Sequence, residues 1–277
     1  MSERRSLRPP VSNGMEQLGF GTWKNSNQEK CIDSVETALN IGYRHIDTAQ
    51  VYGNESYVGE GIAESAIDRD EIFLATKVWI DNLSYEDVKK SVKKSLTALK
   101  TDYIDLLYVH YPSGKYDPQS TLCAFDELYE QRVIRNIGVS NFEIENIDTA
   151  RDNLDNPIFA NQIEFHPLLQ QQTLRDVCNQ HNINIVGYSP LMSGKLFDVV
   201  EIQEIAEKRS TDAASISLAW IREKGVAAIP KSSSHRHIKN NWESLDFSLK
   251  KEDIAKIDNI DRNARQVDED FAPWNKQ

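Results

Sequence analysis

The sequence is poor in cysteine. Cys31, Cys123 and Cys178 are the only three in 277 residues. They are far apart, odd in number and show no Cys-x-x-Cys spacing. That argues against a disulfide framework and against a cysteine-held zinc, and it fits a reducing cytoplasm. Long apolar runs are also missing, and none approaches the ~20 residues of a membrane span. The opening "MSERRSLRPPVSNG" is charged and lacks the apolar core of a signal peptide, so residues 1–12 read as a flexible lead-in. Positive charge is in deficit, with a net charge of -11. That argues against nucleic-acid and anionic-membrane partners. Hydrolytic signatures are lacking too: there is no Gly-x-Ser-x-Gly, no His-Glu-x-x-His and no metal-ligand cluster. No Gly-x-Gly-x-x-Gly follows an expected strand. "GFGTW" has two glycines and no helix directly behind it, so a Rossmann site is not supported.

What the chain does have is a rhythm. A short apolar run ends in polar residues, and an amphipathic helical stretch follows. The runs are "QLGFGTW" (17–23), "YRHIDTA" (43–49), "IFLATKVW" (72–79), "YIDLLYVH" (103–110), "IRNIGVSN" (134–141), "IFANQIEF" (158–165), "INIVGYSP" (183–190) and "VAAIPKS" (226–232). Helix signals lie between them. "NQEKCIDSVETALNIG" ends in Gly42, a C-cap residue, and "LSYEDVKKSVKKSLTALK" opens on Ser84 with Glu86 and Asp87 in the first turn. Eight strands alternating with helices predict a parallel sheet, and at this length a closed (β/α)8 TIM barrel. No linker divides the chain, so residues 13–277 are expected to form one domain. Two helical stretches follow the seventh run, "VVEIQEIAEKR" and "AASISLAWIREKG", and one is an addition to the ideal barrel. The tail from about Asp258 should wrap over the barrel mouth.

In such a barrel the chemistry sits where strands end. Asp47 closes the second run, Lys77 the third and His110 the fourth. Ser140 and Asn141 close the fifth, Gln162 the sixth, Tyr188 and Ser189 the seventh, Lys231 and Ser232 the eighth. Singly each is weak: a lone lysine there is more often a surface charge, and a lone histidine is more often structural. Together they form a polar mouth. Asp47 and Lys77 end adjacent strands and can pair. Tyr52 lies one turn beyond Asp47 and can reach back to Lys77, whose charge should lower the phenol pKa from ~10. His110 adds a second donor for a substrate oxygen. Phenol, ammonium and imidazole around one oxygen suit protonation of a carbonyl that becomes an alkoxide. Ser140, Asn141 and Gln162 suit a carboxamide such as nicotinamide's, and Tyr188 can stack on its ring. Lys231, Ser232, Ser233, Ser234 and Arg236 suit a phosphate. Asp105, early in its strand, reads as structural.

The segments "LGFGTW", "GYRHIDTAQVYGNESYVGEGI", "ATKVW", "DYIDLLYVHYP", "IGVSNF", "NQIEFHPLLQQ", "GYSPL" and "IPKSS" together resemble the aldo-keto reductases in order and spacing. The resemblance runs from about Asn13 to Asp261, and the short loops are similar to the prokaryotic 2,5-diketo-gluconate reductase branch. It implies a (β/α)8 fold and NAD(P)H-dependent reduction of aldehydes or ketones, sugar-derived keto compounds included, to alcohols. It matches Asp47, Tyr52, Lys77 and His110 to the family's catalytic tetrad, with Tyr52 as proton donor. Ser140, Asn141 and Gln162 match the carboxamide ligands, Tyr188 the stacking ring, and Ser189 and Leu191 the pyrophosphate positions. Lys231 and Ser232 match positions beside the adenosine 2′-phosphate, and Asn241 the adenine contact. Trp23, Trp79 and Tyr111 match pocket walls.

Two departures stand out. Tyr111 follows His110 where the family usually has Trp. His237 stands where the family usually has a phosphate-holding arginine, with Arg236 one residue earlier and Asn240 in place of a glutamate. A neutral imidazole holds a phosphate dianion less well than a guanidinium. NADP(H) remains favoured through Lys231, with NAD(H) or dual use left open. The expectation is a cytoplasmic, monomeric enzyme with a small-molecule carbonyl substrate and no metal. The alternative is a non-catalytic barrel that binds the cofactor and senses redox state for a partner. A retired enzyme has no need of all four tetrad groups, and this chain keeps them. A barrel hydrolase or isomerase would need a carboxylate pair or metal cluster at the strand ends.

Overall fold

The computed structural model describes residues 11–12 and 14–275. A short antiparallel hairpin comes first, β1 (Val11–Ser12) with β2 (Met15–Glu16). The sequence reading places Val11 and Ser12 in the lead-in, and the rest of that lead-in lies outside the described residues. Eight strands follow: β3 (Phe20–Gly21), β4 (His45–Asp47), β5 (Phe73–Val78), β6 (Leu106–Val109), β7 (Ile137–Ser140), β8 (Ile158–Glu164), β9 (Asn184–Tyr188) and β10 (Ala227–Ala228). Each lies inside one of the eight apolar runs. All are parallel and pair in sequence order. Bridges Leu18–Ala228 and Gly21–Lys231 join the last strand region to the first, with the Gly19 N–H donating to the Ala228 carbonyl at 2.8 Å. The sheet is therefore a closed barrel.

The helices are α1 (Gln28–Ile41), α2 (Glu55–Glu64), α3 (Tyr85–Ala98), α4 (Pro118–Glu130), α5 (Ile144–Asn153), α6 (Gln172–Gln180), α7 (Val200–Arg209), α8 (Ala213–Glu223), α9 (His235–Glu243) and α10 (Lys251–Asp258). Local chemistry sets their ends. The Asn27 side chain accepts from the Lys30 N–H at 3.0 Å, capping α1. Gly42 ends α1 at φ 138°, where a Cβ would also meet the Trp242 ring at 2.5 Å, so both backbone and space call for glycine. Ser84 caps α3. Of the two stretches after the seventh strand, α8 is buried from Ala213 to Ile221. It fills the ideal helix position, and α7, packed on α8 and α10, is the addition.

Apolar side chains fill two layers. One lies between strands and helices. The other fills the barrel interior and includes Ala75, Leu106, Tyr108, Ala160, Val186 and Ile229, with Met15 of the hairpin joining it. Gly138 makes room there, since a Cβ would sit 2.5 Å from the Tyr108 ring. Asp105 is structural as expected: it is buried and pairs with Arg69 (2.8 Å) and Arg135 (3.0 Å). At the opposite end of β8 from Ile158, fully buried Glu164 accepts from the Gln266 and Val267 N–H groups at 2.7 and 3.0 Å. That carboxylate ties the C-terminal tail across the barrel, and His166 Nε2 lies 2.9 Å from it.

Candidate active site

A cavity of about 1010 Å³ opens at the C-terminal ends of the strands. Of the residues singled out from the sequence, Asp47, Tyr52, His110, Ser140, Asn141, Gln162, Tyr188, Ser189, Leu191, Lys231, Ser232, Arg236, His237, Asn241, Trp23, Trp79 and Tyr111 all line it. Lys77, Ser233 and Ser234 do not; Lys77 is 1% exposed and lies beneath the floor. Its Nζ donates to Asp47 Oδ1 at 2.5 Å, to the Thr48 carbonyl at 2.8 Å and to Tyr52 OH at 3.4 Å. Strand register explains this placement. Asp47 and Lys77 end neighbouring strands, two residues out of step, so a lysine chain spans the gap.

The turn after β4 decides where the phenol points. Gln50–Tyr52 form one 3-10 turn, closed by Gly53 at φ 65°. Asn54 then fastens it. Its side-chain amide donates to the Thr22 carbonyl (2.9 Å) and the Asn25 carbonyl (3.2 Å), and its oxygen accepts from the Thr48 hydroxyl (3.0 Å). Gln50 accepts from the Trp79 N–H at 3.2 Å. Sequence reasoning missed both side chains. Asn in a turn is commonplace, and the partners are 6 to 32 residues away.

The electrostatics correct one expectation. The sequence reading has Lys77 lowering the Tyr52 pKa. Burial instead raises it well above the usual phenol range, and the Asp47 carboxylate pushes the same way. The Lys77 ammonium is shared with Asp47, the nearer partner, so its longer hydrogen bond to the phenol does not offset burial. Tyr52 therefore keeps its proton at all ordinary pH. Burial lowers the Lys77 pKa, and Asp47 and Glu55 oppose that. Burial, with Lys77 beside it, holds His110 well below the usual imidazole range, so its ring is neutral. The ring packs edge-on to Tyr52 (5.9 Å between centroids) and to Trp79 (5.2 Å), and stacks on Tyr111 (5.4 Å). Phe271 of the tail meets Trp79 and Tyr111 edge-on.

On the opposite wall the amides are linked. Ser140 Oγ donates to the Gln162 carbonyl at 2.9 Å, and Asn141 Nδ2 donates to the His110 carbonyl at 3.1 Å. Asn141 sits at φ 61°, a left-handed conformation that asparagine tolerates. Two contacts had no sequence signal. Tyr188 OH donates to Asn141 Oδ1 at 2.8 Å, and Gln162 Nε2 donates to Asp47 Oδ2 at 2.7 Å. The second joins the amide wall to the Asp47–Lys77 pair. Farther along, Lys231, Arg236 and His237 bring basic groups to the start of α9, whose N-cap Ser234 uses no side-chain bond. An anion is favoured there by charge and by free N–H groups. The lining also includes Val51, Phe197, Val267 and Glu269, which the sequence did not single out. No group of His, Cys, Asp and Glu among the described residues can hold a metal ion. No helix is long and apolar enough to cross a membrane.

The fold and site together are a barrel with a polar mouth, a buried lysine beneath a phenol and a basic far end. Residues 11–262 match the model of the Aldo/keto reductase family. The chain belongs to that family, which uses nicotinamide cofactors and small carbonyl substrates. It is 40% identical over 264 residues to the glyoxal reductase of Bacillus subtilis (strain 168), covering 94% of this chain and 95% of that one. It is 39% identical over 257 residues to the methylglyoxal reductase DkgB of Yersinia pestis, covering 91% and 96%. A solved structure described as a candidate 2,5-diketo-D-gluconic acid reductase B superposes with a TM-score of 0.92 at 33% identity, covering 96% of each chain.

Proposed function

We propose that the chain reduces small aldehydes and ketones with NAD(P)H, Tyr52 serving as proton donor. The observation that supports this most directly is the placement of Lys77, which bonds Asp47 at 2.5 Å and Tyr52 at 3.4 Å beneath a cavity faced by a neutral His110. A carbonyl oxygen seated between Tyr52 and His110 has a neutral N–H or O–H donor on each side. As it gains charge it becomes far more basic than a phenolate, so the Tyr52 proton moves to it. Lys77 then faces the new phenolate, and its ammonium is the group that stabilises it. Trp79, Tyr111 and Phe271 exclude water from that corner.

A nicotinamide cofactor supplies the hydride when bound. The donor set fits such a group. Ser140, Asn141 and Gln162 line one wall with hydroxyl and amide groups, and Tyr188 offers a ring held by its bond to Asn141. Ser189 and Leu191 would lie along the pyrophosphate, and Asn241 at the adenine. Lys231, Ser232, Arg236 and His237 would meet a 2′-phosphate, so NADP(H) is favoured, weakened by the imidazole. Glyoxal, methylglyoxal and diketo sugar acids are the substrates that the relatives' names offer. We place the enzyme in the cytoplasm as a monomer; its three free cysteines accord with a reducing compartment.

The test is loss of NADPH and NADH absorbance over glyoxal, methylglyoxal and sugar-derived diketones. Turnover is expected with both cofactors, faster with NADPH. No turnover with any substrate would overturn the reading and favour a barrel that only binds the cofactor.

A further inference from the structure

A second, smaller cavity of about 260 Å³ lies behind the Tyr52 turn, between that turn and α3. Glu55, the first residue of α2, forms part of its wall. The carboxylate is half-buried and makes no ion pair among the described residues. It accepts from the Thr76 hydroxyl at 2.7 Å and the Ser95 hydroxyl at 3.1 Å. Thr76 precedes Lys77 on β5. Ser95 in turn accepts from Gln50 Nε2 at 3.2 Å. One hydroxyl thus joins Gln50, at the start of the Tyr52 turn, to Glu55, just past its end. Both flanks of the turn are tied to the same point on α3.

Fastening alone does not require a charge, because a glutamine has an oxygen in the same place. The charge has a specific recipient. The Glu55 carboxylate acts on Lys77, favouring its charged form. Burial raises the Glu55 pKa, while the two hydroxyls and Lys77 hold it down. The other titratable groups facing Lys77 are Asp47 from β4, Tyr52 from the turn, Tyr108 from β6, and His110 just beyond β6. His45, also on β4, feels its charge. Asp87, Lys90 and Lys94 share the small cavity with Glu55 and make no bond to it.

We propose that Glu55 is a positioning residue for the proton donor: its carboxylate, held by Thr76 and Ser95, locks both flanks of the Tyr52 turn to α3 and sets a negative charge behind Lys77. Two carboxylates then offset the desolvation of one buried lysine. Asp47 touches it directly, and Glu55 acts from behind β5. The proposal rests on the reading of Tyr52 as proton donor.

Glu55→Gln removes the charge and keeps the shape. With less negative charge nearby, Lys77 loses its proton at lower pH. The high-pH limb of the kcat profile should therefore move to lower pH by about half a unit or more. KM for the carbonyl and the affinity for NADPH, read by protein fluorescence, should stay within about twofold. Glu55→Ala should lower kcat further, because the turn is then also unfastened. Glu55→Asp, which restores the charge on a shorter arm, should recover part of the pH limb. An unmoved limb in Glu55→Gln, with or without a loss of melting temperature, overturns the proposal and leaves Glu55 a structural residue. The reading it rests on fails separately, if Tyr52→Phe stays active.

Discussion

Lys77 carries most of the site's logic, and single residues divide into those the sequence exposes and those it hides. Asp47, Lys77 and His110 were legible because each is a polar group directly after an apolar run. Their states were not legible. The phenol pKa is set first by burial and then by the Asp47 carboxylate, and neither can be seen in the sequence. The consequence is a proton that stays on Tyr52 until an alkoxide draws it off. His237 belongs to this scale too. It lines the cavity beside Arg236 and is exposed. Replacing its imidazole by a permanent, bidentate cation should tighten a phosphate-bearing ligand selectively. His237→Arg is expected to lower the dissociation constant for NADPH by about three- to tenfold, roughly the ~1 kcal/mol of an exposed charge contact. NADH should change little. Titration of both cofactors against the variant checks this, and equal effects would show that the position does not face the 2′-phosphate.

The strands and helices were legible as elements, and their limits were not. All eight apolar runs became barrel strands, because buried parallel strands must be apolar on both faces. Yet "QLGFGTW" has only Phe20–Gly21 as strand and "VAAIPKS" only Ala227–Ala228, with Leu18 and Lys231 adding isolated bridges. The rest of each run is connecting chain, some of it lining the mouth, which apolarity cannot distinguish from strand. Two equally periodic helices followed β9, and only burial along α8 showed which one completes the barrel. The turn between β4 and α2 is the element on which chemistry depends. Asn54 holds it through three bonds while being 1% exposed. Asn54→Ala takes this partner from the Asn25 carbonyl and the Thr48 hydroxyl, while the Thr22 carbonyl keeps the Asn25 N–H at 3.1 Å, a loss of about 1–3 kcal/mol. Chemical denaturation should show that loss. With the turn loosened, kcat should fall more than cofactor affinity does.

The whole molecule brings together pieces that no local pattern links. The barrel aims its strand ends at one cavity, which is why a ring of polar residues spread from Asp47 to Ser232 could be read as one site. The tail was expected over the mouth. Its fastening was illegible, because Glu164 meets Gln266 and Val267 across 102 and 103 positions of sequence. Phe271 and Glu269 reach the cavity by the same route. The molecule therefore has two separable tasks: a long wall that binds the cofactor, and a corner that delivers a proton.

Tyr52→Phe separates them. The ring is kept, the proton is lost, and the amide wall and basic end are untouched. NADPH affinity, read by fluorescence, should stay within about threefold of the unaltered chain. Reduction of methylglyoxal should fall by ~100-fold or more, the usual range for losing a general acid. Reduction within tenfold of the unaltered chain would contradict the assignment of Tyr52 as the proton donor.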